Sequence, residues 1–402
     1  MSPRAKSPIR PAVANIKMNG IGAVSMHALG DPNVIPLWFG ESDMVTPKFI
    51  CDAAKKALDD GKTFYAAPWG IHPLRKALAD FHRRTVGAEI DIARITLPGA
   101  AMLGVAVALQ CVAEAGDELI VISPVWPNIF QAAEVAGIIC RFVRMDEDWL
   151  AARPRWHLDL NKVEAAIGPK TKAIFVCSPG NPTGWVMTRD EQRALLDLAR
   201  KRGLAIISDE VYGTLIYDGS KHAPSFLQIA DPEDAVFVIN SFSKPWAMTG
   251  WRIGWVVHPK SLAGPMQVLA ASSNTGPTVF AQYGALAALS PEGDAFRNTM
   301  LERCRTGRDV VAGFVADSRQ NRLRWMVPDG AFYGFLAVDG LKDSLGFARE
   351  LVDKAGVGVA PGSAFGPDGD AANEAYIRIC FAQDSGLLTE GLDRLGRAIA
   401  NL

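Results

Sequence analysis

Bulk charge marks no partner for this chain. Its 402 residues carry 42 lysines and arginines against 43 acids, a formal net charge of -1, so no basic excess exists to hold a nucleic-acid backbone. Long hydrophobic runs are also missing: the longest apolar segment, around Ala100 to Leu109, is about half a membrane span. The basic, proline-bearing start, Met1 to Arg10, leads into no sustained apolar stretch of the kind a signal peptide needs. Six cysteines, Cys51, Cys111, Cys140, Cys177, Cys304 and Cys380, are scattered without a C-x-x-C pair. That spacing gives no metal motif and points to reduced thiols rather than a disulfide framework. There are no internal repeats and no low-complexity tract. The expectation is a soluble cytoplasmic protein with neither nucleic acid nor membrane as partner and no metal.

Two nucleotide-binding patterns also fail. Gly61-Lys62-Thr63 resembles the end of a phosphate loop, but Lys56 stands where the first glycine belongs, so a helix-ending turn is expected. Gly356-Val357-Gly358 is followed by Pro361, which breaks the dinucleotide fingerprint at its sixth position.

What is present is alternation. From about residue 95, short apolar runs suited to buried strands (Glu118 to Ile122, Ala173 to Cys177, Ala205 to Ile207, Ala235 to Ile239, Ile253 to Val257) interleave with helical spacing, clearest from Arg189 to Arg202. This is the mark of an α/β sheet covered on both faces. The first four runs end in polar or turn residues: Ser123-Pro124, Ser178-Pro179-Gly180-Asn181, Ser208-Asp209-Glu210 and Asn240-Ser241-Phe242-Ser243-Lys244. Ligands of open α/β sheets sit beyond the carboxyl ends of the strands, so these clusters are expected to share one crevice. The reading divides the chain into an arm with part of a small domain (1–43), a large domain (44–285) and a smaller C-terminal domain (286–402). Residues 286–402 carry arginine-rich helical segments, a Gly/Pro-rich passage from Val327 to Gly334, then two short strand-like stretches.

Lys244 directly follows an apolar strand, and Arg252 lies eight residues on. Burial beside another cation lowers an amine's pKa, as an amine that condenses with a carbonyl requires, and a guanidinium suits a phosphate. Ser241 and Ser243 add hydroxyl donors.

Ser241-Phe-Ser-Lys244 with Arg252 resembles the cofactor-lysine motif of the class I/II aminotransferases, the fold type I pyridoxal-phosphate enzymes. Other motifs agree in order. Ser208-Asp209-Glu210-Val211-Tyr212 is similar to the segment whose aspartate pairs with the pyridine nitrogen and whose tyrosine bonds the ring's phenolic oxygen; it ends 32 residues before Lys244. Ser178-Pro-Gly-Asn181-Pro-Thr-Gly184 resembles the asparagine loop that reaches both cofactor and substrate carboxylate. Thr96-Leu-Pro-Gly99-Ala100-Ala101 resembles the phosphate turn before a helix, although relatives carry a hydroxyl residue there and this chain leaves backbone N–H groups alone. Pro124-Val-Trp126 matches the position of the ring that stacks on the pyridine face. Tyr376-Ile-Arg378 resembles the strand whose arginine grips the substrate carboxylate in a two-pronged salt bridge, and Gly40 the mobile glycine that covers the substrate. Val359-Ala-Pro-Gly362-Ser-Ala-Phe365-Gly366 is similar to the loop near the pocket mouth. Thr63-Phe-Tyr65 resembles the segment whose tyrosine reaches the neighbouring subunit's phosphate, which implies a homodimer, and Asn274-Thr275 is expected to approach the same partner site.

The resemblance, spanning roughly residues 35–385, implies an aspartate-aminotransferase-like α/β fold: a large cofactor domain with a mostly parallel mixed sheet flanked by helices, plus a smaller α+β domain. It implies pyridoxal 5'-phosphate held as a Schiff base on Lys244, with amino-group transfer between an L-amino acid and a 2-oxo acid in two half-reactions. Lys244, Asp209 and Tyr212 are the expected catalytic residues. Ala100, Ala101, Trp126, Asn181, Ser241, Ser243, Arg252 and Tyr65 are the expected further cofactor contacts, with Gly40, Trp126, Asn181 and Arg378 for the substrate. A lyase or decarboxylase in the same pocket stays open, because bond choice depends on geometry. A regulator built on this fold needs a DNA-binding module ahead of residue 40, where a proline-containing arm is too short for one. Trp38, Trp69 and Trp126 point to an apolar pocket. The segment from Glu147 to His157 has no reading.

Overall fold

The computed structural model describes residues 9–317 and 321–400. Most of the basic start, residues 1–8, lies outside them.

Seven strands form the main sheet: β1 (Ile95–Gly99), β2 (Glu118–Ser123), β3 (Ile139–Arg144), β4 (Thr171–Cys177), β5 (Ala205–Asp209), β6 (Val236–Ser241) and β7 (Gly254–Val257), in the spatial order β1-β7-β6-β5-β4-β2-β3. All pairings are parallel except those of β7, which runs antiparallel to both β1 and β6. Pleating explains the near-continuous apolar strands. Leu119 and Val121 enter one core with Phe175, Ile207 and Phe237, while Ile120 and Ile122 enter another with Ile174, Ile206 and Val238. Helix α1 (Ala101–Val112) covers the first face through Val105, Ala108 and Leu109, and helix α2 (Arg189–Arg202) the second through Leu195, Leu196 and Ala199. The sequence marks both ends of α2: Thr188 and Glu191 form a reciprocal capping box, and Gly203 closes the helix at φ 66°.

A second, antiparallel sheet holds β8 (Leu323–Trp325), β9 (Tyr333–Val338), β10 (Ala360–Pro361) and β11 (Tyr376–Cys380), in the order β8-β9-β11-β10. Helices α3 (Pro291–Ala316) and α4 (Ser385–Ile399) share its core through Met300, Cys304, Leu388 and Leu392. The arm joins this layer, since Ile35–Pro36 pairs in parallel with Val357–Gly358.

Several local readings change. The arm carries a short helix, Gly20–Ser25, with the Asn19 side chain accepting from the Gly22 N–H. The turn before α1 is itself strand β1, and Pro98 is tolerated there because β1 is an edge strand. The segment without a reading is a hairpin, Asp146–Asp148 against Arg155–His157, that buries Trp156 beside Phe335 and Tyr376. Gly61 does end a helix, at φ 71°. Among the described residues no helix is long and apolar enough to cross a membrane, and no group of three or more His, Cys, Asp or Glu is placed to hold a metal.

Candidate active site

Parallel strands deliver their carboxyl ends to one edge of the sheet. Cys177 of β4 pairs with Asp209 of β5, and Asp209 with Ile239 of β6, so the loops after these strands start at about one level. Because β7 runs the other way, its first residue, Gly254, stands beside Ser241 and Gly99 and brings Arg252 to the same edge. A Cβ on Gly254 would lie 2.7 Å from the Ala101 nitrogen; a glycine there lets the first turn of α1 abut the sheet.

These loops enclose a cavity of about 370 Å³. Asn181, Asp209, Tyr212, Ser241, Ser243, Lys244, Arg252, Ala101, Trp126, Gly40 and Arg378 all line it. Two expected residues do not. Ala100 sits one position before α1, with no side-chain cap over that helix end. Tyr65 is 92% exposed and is not part of the lining of its own chain's cavity. Trp69 is likewise not part of the lining, whereas Trp38 is.

Lys244 donates from Nζ to the Gly40 carbonyl at 2.5 Å. Burial, with smaller effects from Arg378 and Arg252, lowers its pKa from 10.5 to about 8. Asp209 is buried, and desolvation raises its carboxyl to about 6 although the Val211 N–H donates to it at 3.2 Å and Lys244 opposes the rise. The neighbouring Glu210 is pushed to about 7 by burial, but it turns to Ser208 and the Phe226 N–H and does not line the cavity. Arg378 donates from Nη1 to Asn181 Oδ1 at 3.0 Å and from Nη2 to the Trp38 carbonyl, while its buried Nε has no partner. Its guanidinium lies 4.6 Å from the Tyr333 ring centroid and 5.1 Å from that of Phe365.

The donor set suits a phosphorylated, cationic heterocycle. A buried carboxylate short of positive charge, Asp209, calls for a protonated ring nitrogen. The Ser241 and Ser243 hydroxyls, 2.9 Å apart, Arg252 and the uncapped start of α1 together form an anion cradle. Arg378, with an idle buried N–H, calls for a carboxylate.

Sequence reading did not single out Tyr333, whose hydroxyl lies 2.6 Å from that of Tyr212. It packs so tightly on Gly40 that a Cβ there would meet its oxygen at 2.1 Å. Its position inside the Gly/Pro-rich passage disguised it. Glu41 and Thr249, bonded to each other at 2.8 Å, also line the cavity and were not anticipated.

Comparison with known proteins agrees with this geometry. The model of the family described as aminotransferase class I and II matches residues 32–395. The chain is 32% identical over 375 residues to a probable aspartate/prephenate aminotransferase of Aquifex aeolicus, covering 92% of each. It is 32% identical over 401 residues to an aspartate aminotransferase of Pyrococcus horikoshii, covering 99% of each. Among solved structures, the Thermus thermophilus aspartate aminotransferase with maleate superposes with a TM-score of 0.85 at 31% identity, over 98% of this chain and 100% of that one. N-succinyldiaminopimelate aminotransferase from Mycobacterium tuberculosis reaches 0.88 at 26% identity, over 97% and 100%. A family match over most of the length, with relatives above 30% identity end to end, makes the chain a member of the class I and II aminotransferase family.

Proposed function

We propose that Lys244 holds pyridoxal 5'-phosphate covalently through Nζ and that this aminotransferase works by two half-reactions between an L-amino acid and a 2-oxo acid. The observation that carries the reading is the meeting, in one cavity, of a lysine titrating near 8, a buried aspartate short of a cation, and an arginine with an idle N–H. When bound, the cofactor supplies a carbonyl that condenses with amines and a ring that accepts the electron pair released at the substrate Cα.

Asp209 would keep the ring nitrogen protonated, and Tyr212 would donate to the phenolic oxygen. Arg252, Ser241, Ser243 and the backbone N–H at Ala101 would hold the phosphate, and Trp126 would pack on the ring face. Arg378 and Asn181 hold the α-carboxylate, which fixes the direction of the Cα–H bond. Lys244, with its amine free, would be the group that takes the Cα proton and gives it back. Its lowered pKa leaves part of the amine neutral near pH 8, as a base requires. Gly40 covers the substrate, and its lack of a side chain leaves room for the Tyr333 hydroxyl.

The exposure of Tyr65 supports a homodimer in which it reaches the partner's phosphate site. The six cysteines, all free thiols, support a reducing, cytoplasmic setting.

An absorbance spectrum of the purified protein with and without pyridoxal phosphate, beside Lys244→Ala, tests the proposal. The expected result is an imine band that the variant lacks and that amino acids convert with release of their oxo acids. Absence of the band from the unaltered protein refutes the assignment.

A further inference from the structure

We propose that Thr46, which does not itself line the cavity, is a positioning residue: its hydroxyl braces the loop between Lys244 and Arg252 and so fixes the spacing of those two anchors. This rests on the functional reading of Lys244 and Arg252 above and extends it to what holds them.

Lys244 and Arg252 stand at opposite ends of one loop, residues 245–251. On the functional reading the cofactor is held at both, by its carbonyl carbon and by its phosphate. Ala247 and Arg252 adopt φ 51° and 57°, a left-handed backbone that residues other than glycine keep only where neighbouring contacts over-determine it. Trp246 and Met248 are fully buried and pin the first half of the loop to the core. The second half, residues 249–251, is half-buried or exposed, so burial alone does not fix it. Thr46 supplies the missing constraint. Its hydroxyl donates to the Ala247 carbonyl at 2.6 Å and accepts from the Trp251 indole N–H at 3.0 Å, across 201 and 205 positions of sequence. A hydroxyl has one proton and two lone pairs, so both bonds form at once. The brace thereby ties a left-handed residue to the neighbour of Arg252. Both of its ends are firmly based: Thr46 precedes Pro47, which opens the helix Lys48–Asp59, and the Trp251 ring lies on Gly284, where a Cβ would meet it at 2.5 Å. Two anchors held at the right spacing favour a ligand that spans them, beyond what either gives alone.

The test titrates the cofactor-free protein calorimetrically with three probes. Pyridoxal 5'-phosphate spans both anchors, pyridoxal reaches only the lysine, and inorganic phosphate reaches only the anion cradle. Thr46→Val keeps the shape and deletes the hydroxyl; it is expected to weaken pyridoxal 5'-phosphate about tenfold and to leave the other two within about twofold. Thr46→Ser is expected to restore the unaltered affinity, and Trp251→Phe, which removes one of the two bonds, to weaken it roughly threefold. A loss shared equally by all three probes, an unchanged affinity for pyridoxal 5'-phosphate, or a serine variant that behaves like valine overturns the proposal. If Thr46→Val does not fold, Trp251→Phe decides by the same comparison. Hydrogen exchange of residues 245–251 gives a readout that needs no ligand: faster exchange in Thr46→Val, reversed in Thr46→Ser, is expected, and unchanged exchange overturns the brace. If the unaltered protein forms no imine band with pyridoxal 5'-phosphate, the functional reading fails, and the exchange data still decide whether Thr46 holds the loop.

Discussion

Replacing Lys244 by methionine is expected to stabilise the cofactor-free protein at neutral pH, although it abolishes activity. The folded protein holds this ammonium in a partly buried site that lowers its pKa from 10.5 to about 8. Between those two values the unfolded chain keeps a proton that the folded chain has released, so stability rises with pH across that window. Below pH 8 both states are protonated and the penalty for the buried charge is present in full. The gap corresponds to about 3 kcal/mol at most. Residual solvent contact and the bond to the Gly40 carbonyl reduce the expected effect to about 1–2 kcal/mol. Methionine keeps the apolar stem and drops the charge, so the variant is expected to melt roughly 2–3 °C above the parent at pH 7. The difference should shrink towards zero by pH 10.5. Differential scanning calorimetry of both proteins without cofactor at the two pH values measures it, and groups other than Lys244 cancel in the difference. A variant that melts below its parent at pH 7, or a gap that does not change with pH, refutes the reasoning.

Arg378→Lys keeps the charge but loses the planar fork that faces the carboxylate; kcat/KM should fall roughly 100-fold, chiefly through KM, in steady-state assays. An unchanged KM would remove Arg378 from the substrate contacts. Tyr333→Phe keeps the ring over Arg378 and deletes only the hydroxyl bonded to Tyr212. It is expected to cost about 1 kcal/mol, or roughly fivefold in kcat, with KM little changed; a rise in KM alone would contradict a role exerted through Tyr212.

Legibility in the sequence followed burial. Strands β2, β4, β5 and β6 were readable because both of their faces lie in apolar cores, which leaves few polar positions to break the run. Strand β3 escaped notice because it is an edge strand whose residues, Ile-Cys-Arg-Phe-Val-Arg, are mostly half-exposed. Strand β1 escaped because Pro98 and Gly99 read as a turn, and only its edge position makes them acceptable. The Gly20–Ser25 helix is too short for a period to register. At the site, Lys244, Asp209 and Asn181 were legible because each sits in a local string with its own chemistry. Tyr333 and Glu41 were not, since what distinguishes them is contact with Tyr212, Gly40 and Thr249, far away in the chain.

The bond from Arg378 to the Trp38 carbonyl joins residues 340 positions apart, and the same guanidinium reaches Asn181 across 197. If Arg378 grips the substrate as proposed, that grip is assembled only once β11 has closed against segments hundreds of residues earlier in the chain. On the proposed reading, a chain truncated before β11 would keep Lys244 and the two serines of the anion cradle and would lack the residue that orients the substrate.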